Sequence, residues 1–87
     1  MAAEPFTIAI PEESLEDLRA RLRQTRWATD FGNDDWRYGA NEEYLHEFVD
    51  YWLNNYDWRE QEKKMNSFAN FKTEIDGVPI HFIHEKG

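Results

Sequence analysis

Apolar and polar residues alternate with a period of two near both ends of the chain, the spacing of a half-buried strand. Apolar side chains alternate over Phe6–Ile10 and Pro11 ends the segment, which predicts a short strand or an extended arm. The same period returns over residues 71–83, interrupted by Asp76-Gly77, the residue pair that type I′ turns prefer. The C-terminal residues are therefore predicted to form a β-hairpin.

The middle of the chain changes to the 3.6-residue apolar spacing of amphipathic helices. The first predicted helix follows Pro11 and carries leucines at i, i+3 and i+7, with acidic residues before arginines, the order that the helix macrodipole favours. A second helix is predicted to start after Asn41, a good N-cap residue, and a third after Asp57, with Glu60 at the reciprocal position of a capping box. The predicted buried side of the third helix consists of Trp58, Met65 and Phe68.

The second helix carries the widest apolar stripe in the sequence. Its members are Tyr44, Leu45, Phe48, Val49, Trp52, Leu53 and Tyr56. Exposed aromatic side chains could form a carbohydrate-binding platform, but these share one stripe with leucine and valine. Helical spacing of this kind predicts a core.

Two features between the first two helices predict further buried contacts. Residues 28–40 form a loop that contains Phe31, Trp36 and Tyr38, and so aromatic a loop is predicted to fold down onto the rest of the chain. Arg26 lies one turn beyond the last leucine of the first helix, on its apolar face. A buried arginine needs a carboxylate or several carbonyl groups, so we expect a structural ion pair there.

Composition limits the classes of function. The 87 residues suffice for one small domain, and the order of arm, helices and hairpin predicts the α+β class. The chain has no Cys, which excludes disulfides and thiolate metal sites, and its net charge of −8 argues against a nucleic-acid partner. The N-terminus has no basic region and no long apolar run, so we expect no membrane span and a soluble, cytoplasmic protein. An aromatic content of 16% exceeds what so small a chain easily buries, which indicates an unusually aromatic core or a surface that contacts another chain.

Two pairs of residues have the spacing of metal ligands. His46 and Asp50 lie one helical turn apart, close to the pattern of the zinc-protease helix, but on the polar side of the helix and without an evident third ligand. His81 and His84 are three residues apart on a strand and therefore face opposite sides of it. A solvated helix face and ordinary strand histidines, one of them in a core hydrogen bond, are the better interpretations.

Nucleophilic and acid–base chemistry find little support in the sequence. Ser14 lies at a helix start and Ser67 at a helix end, and neither belongs to a nucleophile elbow. The adjacent acids Asp34 and Asp35 fit a turn better than a catalytic pair, because they occupy a loop rich in Gly and Asn. We therefore predict no catalytic, cofactor-binding or metal-binding residue in this chain.

Taken together, six stretches resemble the N-terminal domain of the microsomal-type epoxide hydrolases, the group that includes the juvenile hormone epoxide hydrolases. They follow the order of that family over nearly the whole chain. The stretches are F-x-I-x-I-P (Phe6 to Pro11), L-x-D-L-R-x-R-L-x-x-T-R-W (Leu15 to Trp27), W-x-Y-G (Trp36 to Gly39), Y-W with Y-D-W-R (Tyr51 to Arg59), N-x-F-x-x-F (Asn66 to Phe71) and I-D-G-x-x-I-H-F-I-H (Ile75 to His84).

The resemblance implies a division of the chain and a partner. Residues 1–70 correspond to the epoxide hydrolase N-terminal domain, and residues 71–87 to the opening hairpin of an α/β-hydrolase domain. In this family an Asp attacks the epoxide to form an ester, and a His paired with an acid activates the water that hydrolyses it. Lid tyrosines and a His-Gly-x-Pro segment assist this two-step reaction. All these positions are expected beyond residue 87, so no catalytic residue is carried over and the chain alone is expected to be inactive.

Two functional hypotheses follow. In the first, the chain is a fragment or subunit of an epoxide hydrolase that wraps the catalytic domain and lid, supplied in cis or in trans, and needs no cofactor. In the second, it is a freestanding protein–protein interaction module. Because a lone hairpin is marginally stable and its free edge invites pairing, a homodimer through the C-terminal edge strand is a further predicted partner.

Overall fold

The computed structural model describes residues 2–87, which contain three helices and three strands. These are β1 (Glu4–Pro5), α1 (Glu12–Arg23), α2 (Glu42–Asn54), α3 (Trp58–Asn66), β2 (Asn70–Ile75) and β3 (Val78–Ile83). The predicted α+β class is confirmed. The chain divides into two compact units: the residues up to Ile10 with Asp57–Gly87, and Pro11–Tyr56. None of the helices in the described residues is long and apolar enough to cross a membrane.

The strands form one antiparallel sheet in the order β1-β2-β3. The turn between β2 and β3 has φ of 51° at Asp76 and 79° at Gly77, and positive φ at both central residues confirms the predicted type I′ turn. β1 lies on the other side of β2, with Glu4 opposite Lys72. The predicted hairpin thus becomes a three-stranded sheet in which the outer edge of β3 has no strand partner within residues 2–87.

The predicted arm, Phe6–Ile10, is bound by side chains of α3. The Ile10 amide donates to Glu62 Oε2 at 2.9 Å, and Ile8 exchanges two hydrogen bonds of 2.8 Å with the Asn66 amide group. Glu62 and Asn66 lie four residues apart, a rise of about 6 Å along a helix, while two extended residues rise about 6.6 Å. This near match lets successive turns of α3 bind alternate residues of the arm, so the period of two gives an extended segment held by side chains.

In the unit Pro11–Tyr56, α1 packs against α2 through its leucine face. Leu15 is only 7% exposed, and Leu18 and Leu22 are half-buried. α1 ends at Arg23, so Arg26 lies beyond the helix, is exposed and forms no ion pair with any of residues 2–87. The predicted ion pair at Arg26 is wrong, because the helical period that placed it on the apolar face stops three residues earlier.

The loop between α1 and α2 is organised by Asn33 and not by its aromatic residues. The Asn33 side chain donates to the Gly39 carbonyl oxygen at 3.1 Å and accepts from the Tyr38 amide at 2.8 Å, and Asn33 is 4% exposed. Phe31 and Tyr38 are 80% and 73% exposed. The expectation that the loop folds its aromatic residues down is therefore wrong for both. A buried amide satisfies the backbone groups of the loop and makes it compact while Phe31 and Tyr38 stay exposed.

Candidate docking surface on helix α2

Four aromatic rings form a continuous row along α2 and the loop before it. Ring centroids are 5.1 Å apart between Trp36 and Tyr44, 6.4 Å between Tyr44 and Phe48, and 6.3 Å between Phe48 and Trp52. The members on α2 are spaced by four residues, which places them above one another on the same helix face. These distances lie in the range where aromatic pairs stabilise each other. We call these four residues the aromatic row.

The loop holds Trp36 at the end of the row in a conformation that is uncommon for a bulky residue. Its φ is 64°, in the left-handed region. The Trp36 amide donates to the Asn33 carbonyl at 3.2 Å, and its carbonyl accepts from the Gly39 amide at 3.0 Å. Asn41, the predicted N-cap of α2, accepts from the Tyr44 amide at 3.0 Å and donates to the Asn33 carbonyl at 3.1 Å. The cap therefore connects the loop to the start of the helix and keeps Trp36 beside Tyr44.

The aromatic row is substantially exposed, and this corrects the interpretation of the whole stripe as core. Tyr44 is 49%, Phe48 51% and Trp52 36% exposed. The aliphatic members of the stripe are half-buried: Leu45, Val49 and Leu53. The stripe is too wide for its neighbour, because α1 offers only three leucines to a surface of seven side chains. That mismatch is visible in the sequence and could have separated the aliphatic side from the aromatic side.

Carboxylates border the aromatic row along one flank. At about 100° per residue, Glu43, Glu47 and Asp50 lie on the side of the row opposite the aliphatic residues. All three are exposed, and α2 contains no Lys or Arg. We call these three residues the acidic border. The surface therefore combines a strip of aromatic rings with negative charge along one side.

A second exposed apolar surface lies on the sheet, in the unit that contains the arm. Ile75 lies opposite Val78, and Ile80 opposite Thr73, so the three aliphatic side chains share one face. Ile75 is 57% exposed, Val78 55% and Ile80 38%. On the same face nearer α3, cross-strand partners Phe71 and Phe82 stack at 5.6 Å and are half-buried. Apolar exposure thus increases toward the turn.

The fold separates the two strand histidines. His81 Nε2 is 2.9 Å from Asn70 Oδ1, and the Asn70 Nδ2 group donates to two main-chain carbonyls at the end of α3. Because the amide nitrogen is used by carbonyls, Oδ1 accepts and His81 Nε2 carries the proton. His81 contacts the Phe6 ring at 5.2 Å, whereas His84 lies 6.4 Å from the Phe71 ring, on the other face. The predicted opposite orientation and the hydrogen bond of one strand histidine are both confirmed.

The helix pair considered as a metal site has other contacts. The His46 ring stacks on Trp27 with centroids 3.9 Å apart, and its Nε2 lies 3.3 Å from Glu42 Oε2. Asp50 accepts a hydrogen bond of 2.8 Å from the Asn54 side chain. Within residues 2–87, no three His, Asp or Glu side chains converge in an arrangement able to hold a metal ion.

The candidate acid–base and nucleophilic residues have structural contacts. The Arg37 guanidinium donates to the Asp35 carboxylate at 2.8 Å and lowers the pKa of that carboxyl below its usual value. A carboxyl group with a lowered pKa is ionised at neutral pH and a poor proton donor. Ser67 Oγ donates to the Lys64 carbonyl at the end of α3 at 2.6 Å, and Ser14 lies in the first turn of α1.

Comparison with known proteins gives the family. A family model described as "Epoxide hydrolase N terminus" matches residues 3–87. The chain belongs to the epoxide hydrolase N-terminus family. An epoxide hydrolase structure from Aspergillus niger superposes with a TM-score of 0.88 at 38% identity, over 95% of this chain and 22% of that chain. The juvenile hormone epoxide hydrolase of Bombyx mori gives a TM-score of 0.85 at 31% identity, over 94% of this chain and 22% of that chain. Epoxide hydrolase 1 of Sus scrofa is 38% identical over 82 residues, 94% of this chain and 18% of its own length.

These relationships confirm the resemblance carried by the six sequence stretches. The Aspergillus niger and Bombyx mori epoxide hydrolase structures contain the same α+β arrangement in the region matched by this chain. The chain spans about a fifth of the length of the relatives it matches, 18% of the Sus scrofa protein and 22% of the Aspergillus niger chain.

Proposed function

We propose that this chain is the non-catalytic N-terminal part of an epoxide hydrolase, and that it stabilises and covers the α/β-hydrolase portion that converts an epoxide and water to a vicinal diol. The observation that carries the proposal is the extent of the match. It covers nearly all of this chain, 94–95%, but only 18–22% of the related enzymes. A region that matches one end of several enzymes over its full length is best explained as the same part of the same kind of enzyme.

The surfaces of the chain support a covering role. Exposed apolar side chains occur on α2 and on the sheet, and contiguous apolar surface of this kind is typical of regions that contact another protein surface. The edge of β3 has no partner within residues 2–87, so a further strand can add to it. We propose that residues 71–87 open the central sheet of the hydrolase portion, while residues 1–70 pack on its exterior and on its lid.

The contacts of two carboxylates support a non-catalytic role. Asp35 is paired with Arg37, and the buried carboxylate of Glu62 accepts from the Ile10 amide and from Arg59. Glu62 is largely covered and positions the backbone of the arm, whereas Asp35 remains exposed and is ionised through its pair with Arg37. The reaction is therefore assigned to the hydrolase portion. The N-terminal part stabilises and covers that portion.

Complementation in trans tests the proposal. The Aspergillus niger enzyme without the region matched by this chain, here the truncated enzyme, is purified and mixed with the 87-residue chain. Diol formation from an aryl epoxide is then followed. We expect neither component alone to be active and the mixture to hydrolyse the epoxide, because the chain completes the sheet and closes the lid.

A matched variant examines the role of the hairpin in the same assay. Gly77→Pro places proline at a φ of 79°, which its ring forbids, and should abolish the recovery of activity while the helices persist. Phe31→Ser, in the exposed loop, should leave the recovery unchanged. If the chain neither binds the truncated enzyme nor restores hydrolysis, the proposal fails and the freestanding interaction module becomes the better explanation.

A further inference from the structure

We infer that the aromatic row and acidic border of α2 dock a basic amphipathic helix of the hydrolase portion, a helix with aliphatic side chains on one face and Lys or Arg beside them. The inference rests on the proposed function and adds the contact surface and the chemistry of the partner. It concerns the unit Pro11–Tyr56 alone.

The shape of the row fits a helix. Tyr44, Phe48 and Trp52 lie at intervals of four residues, and such i±4 ridges pack into the grooves of a second helix. From Tyr44 to Trp52 the row extends about 12 Å along α2, roughly two turns of a partner helix. Trp36 lengthens it at one end, 5.1 Å from Tyr44. A few residues carry most of the binding energy at protein interfaces, and Trp and Tyr are enriched among them.

The charge beside the row selects a basic partner. Glu43, Glu47 and Asp50 are exposed along one flank, α2 has no Lys or Arg, and the net charge of the chain is −8. A Lys or Arg on the partner could pair with these carboxylates and lie over the faces of the Trp or Tyr rings, where cations are also favoured. An acidic or purely aliphatic helix would gain neither interaction.

A second copy of this chain fits the surface less well. A symmetric dimer places the same surface on both sides of the contact. When the two α2 helices run antiparallel, two aromatic rows packed face to face bring the two acidic borders together, and like charges oppose that approach. The greater length of the relatives, of which this chain spans 18–22%, provides the alternative source of a partner helix.

The test measures binding of the 87-residue chain to the truncated Aspergillus niger enzyme by titration calorimetry at low and high salt. Phe48→Ser removes the central ring and should weaken binding about 30-fold, the effect of an interface hot spot. Glu47→Lys should weaken binding about fivefold at low salt and less at high salt, because an exposed charge pair is modest and screened. Circular dichroism checks that each variant keeps the helical content of the parent.

Two control variants match these changes elsewhere. Phe31→Ser removes an aromatic ring from the loop that is 80% exposed, against 51% for Phe48, and Glu16→Lys reverses an exposed charge on α1. Both should bind within about twofold of the parent, as expected for surface changes outside a contact. Unchanged affinity for Phe48→Ser and Glu47→Lys would overturn the inference while binding by the parent chain still supports the proposed function.

Two further outcomes separate the alternatives. Absence of any binding by the parent chain would overturn the proposed function and the docking inference together. Sedimentation of the free chain provides the other measurement. If the chain dimerises and Phe48→Ser abolishes the dimer, the occupant of the row is a second copy and the inference is overturned.

Discussion

Asn66 binds Ile8 through both ends of its side-chain amide: Oδ1 accepts from the Ile8 amide and Nδ2 donates to the Ile8 carbonyl, each at 2.8 Å. The side chain thereby reproduces the paired hydrogen bonds that a neighbouring strand would supply. One turn earlier on α3, Glu62 accepts from the Ile10 amide at 2.9 Å. The arm therefore obtains its main-chain partners from a helix, and its attachment depends on a small number of polar side chains.

Replacing Asn66 with Asp should release the arm. The substitution keeps the size of the side chain but replaces the Nδ2 donor with a charged oxygen that faces the Ile8 carbonyl. We expect the free energy of unfolding at pH 7 to fall by about 1–3 kcal/mol, the cost of an unsatisfied, partly buried polar group. Urea unfolding measures the loss, and amide exchange should become faster at Ile8. Asn55→Asp, at an exposed position after α2, should change stability by less than about 0.5 kcal/mol.

Equal losses for Asn66→Asp and Asn55→Asp would contradict the account of the arm. The effect would then be one of added negative charge in a chain that is already acidic. Asn66→Ala distinguishes the two explanations further, because it removes both hydrogen bonds without adding charge. It should also accelerate exchange at Ile8 if the amide holds the arm.

Stability should fall in acid through Glu62. Its pKa is lowered chiefly by the hydrogen bond from the Ile10 amide and then by the one from Arg59. In the unfolded chain the carboxyl has its usual pKa of about 4.3, so between the two pKa values the unfolded state binds more protons. The contribution is therefore fully present above about pH 5 and is lost as the pH falls through the folded-state pKa.

Glu62→Gln gives the matched measurement. The amide can still accept from Ile10 but does not titrate, so the variant should lose less stability than the parent between neutral pH and pH 3. Asp35→Asn removes another carboxyl group with a lowered pKa, paired with Arg37 in the exposed loop. If Asp35→Asn reduces the loss of stability in acid and Glu62→Gln leaves that loss unchanged, Glu62 is not the group responsible. Thermal unfolding followed across the pH range gives the comparison.

The hairpin turn depends on a backbone conformation that glycine tolerates. Gly77 has φ of 79°, and a Cβ there would meet only a Glu74 carboxylate oxygen, at 3.9 Å. Gly77→Ala should therefore lower the free energy of unfolding by about 1–2 kcal/mol through backbone strain and not through a clash. Asp76→Asn should be nearly neutral, since Asn also accepts positive φ. A neutral Gly77→Ala would indicate that the turn changes type.

Features that depend on residues nearby in the sequence were predictable. Whether a side chain is buried by another element of the fold was not. Asp76-Gly77 determines its turn from two residues, and Asn41 caps α2 within three residues of itself. Whether Phe48 is core depends instead on what lies opposite, and α1 proved too narrow to cover it. The predicted ion pair at Arg26 was wrong for a related reason, since the apolar period of the sequence does not indicate where the helix ends.

The polar side-chain contacts that hold the arm were also not predicted from the sequence. Glu62 and Asn66 are spaced by four residues on α3, and a search for apolar periodicity does not detect them because they are polar. Glu62 is buried and Asn66 is half-buried. Their spacing beside an alternating segment elsewhere in the chain was the only available signal. A period search extended to Asn and Glu would be needed to detect it.

The outer edge of β3 gives a prediction at single residues. In a two-residue hairpin the pair beside the turn, Ile75 and Val78, is hydrogen-bonded, and hydrogen-bonded pairs then alternate along the strands. The amides of Ile80 and Phe82 consequently point to β2, while position 79 and the residues His81 and Ile83 point outward. Position 79 is proline and has no amide to donate, which limits pairing at that edge.

Amide exchange of the free chain should therefore alternate along β3. Ile80 and Phe82 should be protected, whereas His81 and Ile83 should exchange rapidly because no strand lies beyond them in residues 2–87. Addition of the truncated enzyme should protect His81 and Ile83 if the hydrolase portion supplies the next strand. Protection of both amides in the free chain at high dilution would mean that the outward amides of β3 already have hydrogen-bond partners within the chain. Protection at high concentration alone would mean that two copies pair through this edge. In the first case the proposed role of residues 71–87 as the opening of a larger sheet would be wrong, because a strand without free donors has nothing to offer a neighbour.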